Sequence, residues 1–96
     1  MQLKTIISTC GETRLVKNQW AAEAESRGAT VSDSTWEVCG GLTLGSQYLA
    51  GTLASALVNI NGCGTITNTV TLSNGEVLVG ARDVSIPDAY DWRLSD

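Results

Sequence analysis

Thr65-Ile66-Thr67-Asn68-Thr69-Val70-Thr71-Leu72-Ser73-Asn74-Gly75, followed by the valine-rich stretch 76–86, is the part of the chain whose reading decides the fold. Threonine holds every odd position from 65 to 71, while Ile66, Asn68, Val70 and Leu72 hold the even ones. Strand side chains alternate between faces, so one face is apolar and the other carries hydroxyls. Asn-Gly accepts the positive φ angles of a tight type I′ turn, so the two arms are expected to close as an antiparallel hairpin. Asn68 is the one polar residue on the inner face. It is expected to bond a neighbouring backbone group, because buried polar groups find partners.

Working outward, the same period of two recurs upstream. In residues 53–60, Ala54, Ala56, Val58 and Ile60 alternate with Ser55, Leu57 and Asn59, which predicts a strand with small residues inward. Asn61-Gly62-Cys63-Gly64 reads as a sharp loop between this strand and the hairpin. Residues 29–38 read as a strand in which Val31 is out of phase with Trp36 and Val38, and a bulge near Asp33-Ser34 reconciles them. Cys39-Gly40-Gly41 and Gly45-Ser46 read as turns around a short strand at 42–44, and residues 48–52 lead toward the next strand.

The N-terminal third adds strands at residues 3–8 and 13–18, broken at Cys10-Gly11-Glu12. Between them and residue 29, Trp20-Ala21-Ala22-Glu23-Ala24-Glu25-Ser26-Arg27 changes character. Alanine and glutamate favour helix, and Gly28 stands where a C-terminal cap belongs. A helix this short needs tertiary support, which the docking of Trp20 is expected to give. Pro87 ends the last strand, because proline cannot donate to the ladder. The acidic tail that follows carries Tyr90, Trp92 and Leu94. Strands at intervals of about 8–12 residues with turn signals between them predict a β-sandwich.

Composition narrows the function classes. Ninety-six residues make one domain, with hydrophobic residues at 43%, charged residues at 17% and a net charge of −4. The six Lys and Arg are scattered and form no basic stripe, so neither nucleic acid nor an anionic membrane surface is an expected partner. No window reaches the apolar length of a membrane span, and residues 1–10 are too short in apolar run for a signal peptide. The protein is expected to be made and assembled in the cytoplasm. Cys10, Cys39 and Cys63 are an odd number without CxxC spacing, and there is no histidine to complete a zinc site. A disulfide between any two would leave one thiol over. Three reduced thiols are the expected state in a reducing compartment.

Catalytic constellations find little support. Without histidine, Ser-His-Asp and Cys-His arrangements are excluded. Cys63 lies between two glycines with no basic neighbour in sequence, so it reads as a small residue in a tight turn rather than a nucleophile. Glu23 and Glu25 diverge on a helix, and Asp88 and Asp91 can meet in a turn but need a cleft around them for glycoside-type chemistry, so both pairs read as solvated charge. No phosphate-binding glycine motif or EF-hand spacing occurs. No catalytic residue, metal or cofactor is expected. Trp20, Trp36, Ile66, Val70 and Leu72 are the expected core. Leu3, Ile6, Tyr90, Trp92 and Leu94 are the candidate interface, because aromatic residues outside the sheet suit protein–protein contacts.

The run from Trp20 to Ile86 resembles small Ig-like proteins of tailed-phage structural gene clusters, those of the fibre–tail adaptor type. The resemblance lies in the tryptophan-centred helical turn ending in Gly28, in Ala29-Thr30-Val31-Ser32-Asp33-Ser34-Thr35-Trp36-Glu37-Val38, in Gly41-Leu42-Thr43-Leu44, in the stretch from Gly64 to Thr71, and in the closing Ser73-Asn74-Gly75. It covers about two-thirds of the chain. Ile66 stands where that group commonly has tyrosine, and residues 1–11 and 88–96 are extensions. The resemblance implies an all-β, immunoglobulin-like antiparallel sandwich of about seven strands with one short helical turn. It further implies a non-enzymatic virion protein that joins tail or head–tail components to fibres as a homo-oligomer. Its partners would be tail, portal-proximal or fibre subunits. A capsid decoration protein is the structural alternative. A carbohydrate- or host-surface-binding module is the alternative of another class.

Overall fold

Two long strands carry the architecture. The computed structural model describes residues 4–86, which form β1 (Ile6–Ile7), β2 (Glu12–Gln19), α1 (Ala21–Ser26), β3 (Val31–Ala50), β4 (Leu53–Leu72) and β5 (Val77–Ser85). β3 and β4 pair antiparallel from Val31 opposite Leu72 to Ala50 opposite Leu53. The other edge of β4 is shared between two strands laid end to end. β2 takes its first half, with Glu12 opposite Ile60 and Gln19 opposite Leu53, and β5 takes its second, with Gly64 opposite Val84 and Thr71 opposite Val77. β1 adds in parallel to the far side of β5, Ile6 opposite Val84.

The fold is all-β, and its described strands form one curled sheet. The stretches that the sequence marks as separate strands at 53–60 and 65–72 are one continuous strand, and those at 29–38 and 42–44 likewise merge into β3. The expected loop at 61–64 and the expected turns at 39–41 and 45–46 are therefore corners and bulges inside strands. Register shifts between Gly40 and Leu42 and between Leu44 and Gln47 mark them, and a third between Val31 and Asp33 is the bulge expected near Asp33-Ser34. Glycine signals a break in hydrophobic alternation whether the chain turns back or bends while its ladder continues, and sequence does not separate the two.

The corner itself explains its glycines. Gly40 has φ 84°, and a Cβ there would lie 2.8 Å from Gly64 Cα. A Cβ on Gly41 would lie 2.6 Å from Gly62 Cα, and one on Gly64 would collide with the Cys39 carbonyl oxygen. The two backbones approach too closely for any side chain, which lets β3 and β4 bend together. The same parity stays inward across the bend. Ala54, Ala56, Val58 and Ile60 before it, and Ile66, Asn68, Val70 and Leu72 after it, are all buried. The sheet thus curls around one face, and Val16, Trp20, Trp36, Leu42 and Val84 fill the enclosed core with them.

The ends of the elements follow local chemistry. In α1, Gly28 N–H bonds Glu25 O at 3.1 Å and Ala29 N–H bonds Ala24 O at 2.9 Å, with Gly28 at φ 61°. This is a Schellman cap, which needs a left-handed residue where Gly28 stands. The loop between β4 and β5 differs from the expected type I′ turn. Gly75 alone has positive φ, at 91°, with Gly75 N–H bonded to Leu72 O at 3.0 Å and Leu72 N–H to Glu76 O at 2.8 Å. Three residues therefore separate the closing pair, and Gly75 forms a bulge after the turn. Asn74 contributes through its side chain, whose Oδ1 accepts from Glu76 N–H at 2.9 Å.

Replacing Gly64 by alanine is expected to destabilise the protein by roughly 2–3 kcal/mol, because the corner has no room to relax around backbone atoms. Gly11→Ala is the comparison, since a Cβ there meets nothing within 4 Å and only its φ of 90° opposes the change. Urea unfolding of both variants checks the ranking, and a Gly64→Ala protein as stable as wild type would contradict the corner.

Candidate functional site

Asn68 is completely buried, and all four of its side-chain hydrogen bonds are made. Its Oδ1 accepts from Trp20 Nε1 at 2.9 Å and from Asn18 Nδ2 at 3.2 Å. Its Nδ2 donates to Ser34 Oγ and to Thr35 O, both at 2.9 Å. The bond to Thr35 O is the backbone partner that a buried asparagine on this face calls for, and the other three tie in β2, the residue before α1 and β3. Arg82 of β5 extends the network. Its Nε and Nη2 donate to Asn18 Oδ1 at 3.1 and 2.9 Å, Nη2 also reaches Lys17 O at 2.9 Å, and Nη1 reaches Lys4 O at 3.2 Å. Burial lowers the Arg82 pKa from its ordinary value, yet a guanidinium stays charged at neutral pH. Because the Asn68 amide is saturated, this network is a clasp between strands of the curled sheet rather than a place for a ligand.

The outer faces are where chemistry is left open. Over the second half of β4, Thr65, Thr67, Thr69 and Thr71 are flanked by Cys39, Glu37, Thr35 and Asp33 on β3 and by Asp83, Ala81, Val79 and Val77 on β5. Over the first half, Leu15 of β2 stands opposite Leu57, and it is 47% exposed. Tyr48 and Leu49 are exposed near the end of β3. Two hollows accompany these faces. One of about 120 Å³ lies at the open side of β3, lined by Asp33, Ser34, Trp36, Gln47, Tyr48 and Leu49. The other, about 330 Å³, lies between α1 and β5 and is lined by Trp20, Glu23, Arg27, Val77, Leu78 and Val79. Arg27 Nε bonds Glu76 Oε2 at 2.9 Å near it.

Of the candidate interface residues, only Ile6 is described. It is half-buried, pairs with Val84 and packs against the core, as part of the strand expected within residues 3–8. Leu3, Tyr90, Trp92 and Leu94 lie outside the described residues, as do Asp88 and Asp91. The expected core residues Trp20, Trp36, Ile66, Val70 and Leu72 are all buried. Trp36 Nε1 is buried without a partner, whereas Trp20 spends its indole N–H on Asn68. Cys10, Cys39 and Cys63 are free and exposed. Among the described residues no group of three or more acidic or thiol side chains is arranged to hold a metal.

Sequence reasoning missed Arg82, Asn18 and Leu15. Arg82 carries no signal, since its partners are carbonyls and an asparagine brought close only by the curl. Leu15 does carry one. Val16 and Asn18 face inward, so a leucine in the opposite phase, with Thr13, Lys17 and Gln19, must face out. Glu12, at the start of β2, accepts from the Ser8 hydroxyl and from Thr9 N–H at 3.4 Å, with Arg14 Nη1 at 3.9 Å. The Ser8 bond, then the Thr9 bond and the Arg14 charge, hold its carboxyl below the ordinary glutamate value of 4.5.

No family model, curated protein or solved structure matches this chain.

Asn68→Ala is expected to cost roughly 3–5 kcal/mol in urea unfolding, because it strands the Trp20 and Asn18 donors. Trp20→Phe, which removes one donor and keeps a ring, is expected to cost less. The turn before β2 has its own pH dependence. A depressed carboxyl contributes stability above its unfolded pKa and loses it as pH falls through the folded one. Carbon-detected NMR titration is expected to place the Glu12 midpoint below 4.5, and Ser8→Ala is expected to raise it.

Proposed function

We propose that this chain is a non-enzymatic structural protein of a phage particle, a multimeric adaptor that joins tail or head–tail components to fibres. Its finer fold description is an immunoglobulin-like sandwich. The curl of the sheet favours that description, since it brings two stretches of one inner face together around a common core. The resemblance of residues 20–86 supplies the virion setting, with assembly in the host cytoplasm.

The observation that carries the reading is the open margins of β2 and β3, the two longer edge strands. β2 pairs only with β4, and so does β3 along its 20 residues, so each has one side without a ladder neighbour among the described strands. Unpaired strand margins accept an added strand from another chain, with main-chain bonds giving affinity and exposed side chains giving selectivity. Tyr48 and Leu49 put an aromatic and an aliphatic side chain beside one such margin. The saturated clasp around Asn68 keeps the margins in fixed relation. The terminal stretches 1–10 and 88–96 add Leu3, Tyr90, Trp92 and Leu94 as further contacts in this proposal.

The test is assembly. Particles produced with Tyr48→Lys plus Leu49→Glu, or with residues 88–96 deleted, are expected to lose copies of this protein by quantitative mass spectrometry, while the purified variants keep the wild-type β circular dichroism. Full incorporation of both variants would sink the adaptor reading. Counting copies per particle separates it from capsid decoration, which demands many more.

A further inference from the structure

Of the open margins of β2 and β3 among the described strands, that of β2 is the regular one. β3 is interrupted by three register shifts, whereas β2 keeps an unbroken register from Glu12 to Gln19. A bulged margin resists pairing, and a regular one invites it. Trp20 N–H bonds Thr52 O at 2.9 Å, so the even positions of β2 turn their main chain toward β4. The odd positions, Thr13, Leu15, Lys17 and Gln19, therefore direct theirs outward. The Arg82 bond to Lys17 O, on the side away from Ser55, fits that phase and leaves the carbonyl a second lone pair.

We propose that β2 pairs antiparallel with β2 of a second copy about a two-fold axis at Leu15. The inference deepens the multimeric reading above by naming the surface and its register. A two-fold axis normal to the sheet keeps inner faces together, so only registers pairing residues of like parity qualify. Centring on Arg14 or on Lys17 sets like charges directly opposite, which destabilises a cross-strand pair. Centring on Val16 sets Leu15 against Lys17. Centring on Leu15 places Leu15 opposite Leu15 of the second copy, Thr13 opposite Lys17, and Arg14 opposite Val16, with no like-charge pair. It also joins two existing cross-strand pairs into one outer-face row, Leu57, Leu15, Leu15 and Leu57, because Leu15 already stands opposite Leu57 in each copy. The 47% exposure of Leu15 would then be covered. A single strand pair of this length is small for an interface, so a weak dimer is the expectation.

Analytical ultracentrifugation of the full chain tests this. Wild type is expected to show a monomer–dimer equilibrium with Kd on the order of micromolar to 100 µM. Leu15→Lys is expected to weaken it at least about tenfold, and Thr13→Glu, which faces Lys17 of the second copy, to tighten it roughly threefold. Thr13→Lys should weaken it, and the exposed control Val77→Lys should leave it unchanged. Thermal unfolding establishes that each variant is folded. A multimer indifferent to Leu15→Lys and to the sign of charge at 13 overturns the β2 surface while leaving the multimeric reading standing. A strictly monomeric chain overturns both.

Discussion

The structure depends on one amide. Asn68 sits inside a curled sheet with both ends of its side chain committed, Oδ1 to β2 and the residue before α1, Nδ2 to β3. A buried amide is costly when any of its bonds is lost and nearly neutral when all are made. That asymmetry makes the curl specific. An aliphatic residue at this position would set no such condition, whereas Asn68 accepts one arrangement of Trp20, Asn18 and Ser34. Arg82 then closes the periphery, using carbonyls of β2 and of the N-terminal segment.

The chain shows much of this design openly and conceals the rest for identifiable reasons. The period of two from Ala54 to Leu72 is visible because burial on one face needs it, and the capping glycine at 28 is visible because a left-handed cap needs it. The continuity of β3 and β4 is hidden, since Gly40, Gly41, Gly62 and Gly64 look the same whether they serve a loop or a corner. The turn at 73–75 is placed correctly by Asn-Gly but mistaken in type, because the dipeptide is compatible with a left-handed glycine alone. The open face around Leu15 is legible only after the phase of β2 is known. The candidate interface at Tyr90, Trp92 and Leu94 rests on composition alone, which says that such residues seek contact but not with what.

Scaffold and surface are divided cleanly by this plan. Inside, Asn68 is saturated and the Trp36 indole N–H is left without a partner, while further hydrogen-bonding capacity lies along strand margins and on the hydroxyl-bearing outer face. Its acids at Asp33, Glu37 and Asp83 surround the threonine row, which disfavours anionic partners there and gives the two ends of the sheet different electrostatic character.

The parallel pairing of β1 with β5 has a consequence for biosynthesis. Ile6 and Ile7 leave the ribosome well before their partners Val84 and Ser85, with the rest of the described sheet emerging in between. Translation proceeds at a finite rate, so the first strand waits, unpaired, until the rest of the sheet has been made. The N-terminal segment is therefore a late-closing latch. Its seating, with the Arg82 bond to Lys4 O, reports that synthesis has run past β5.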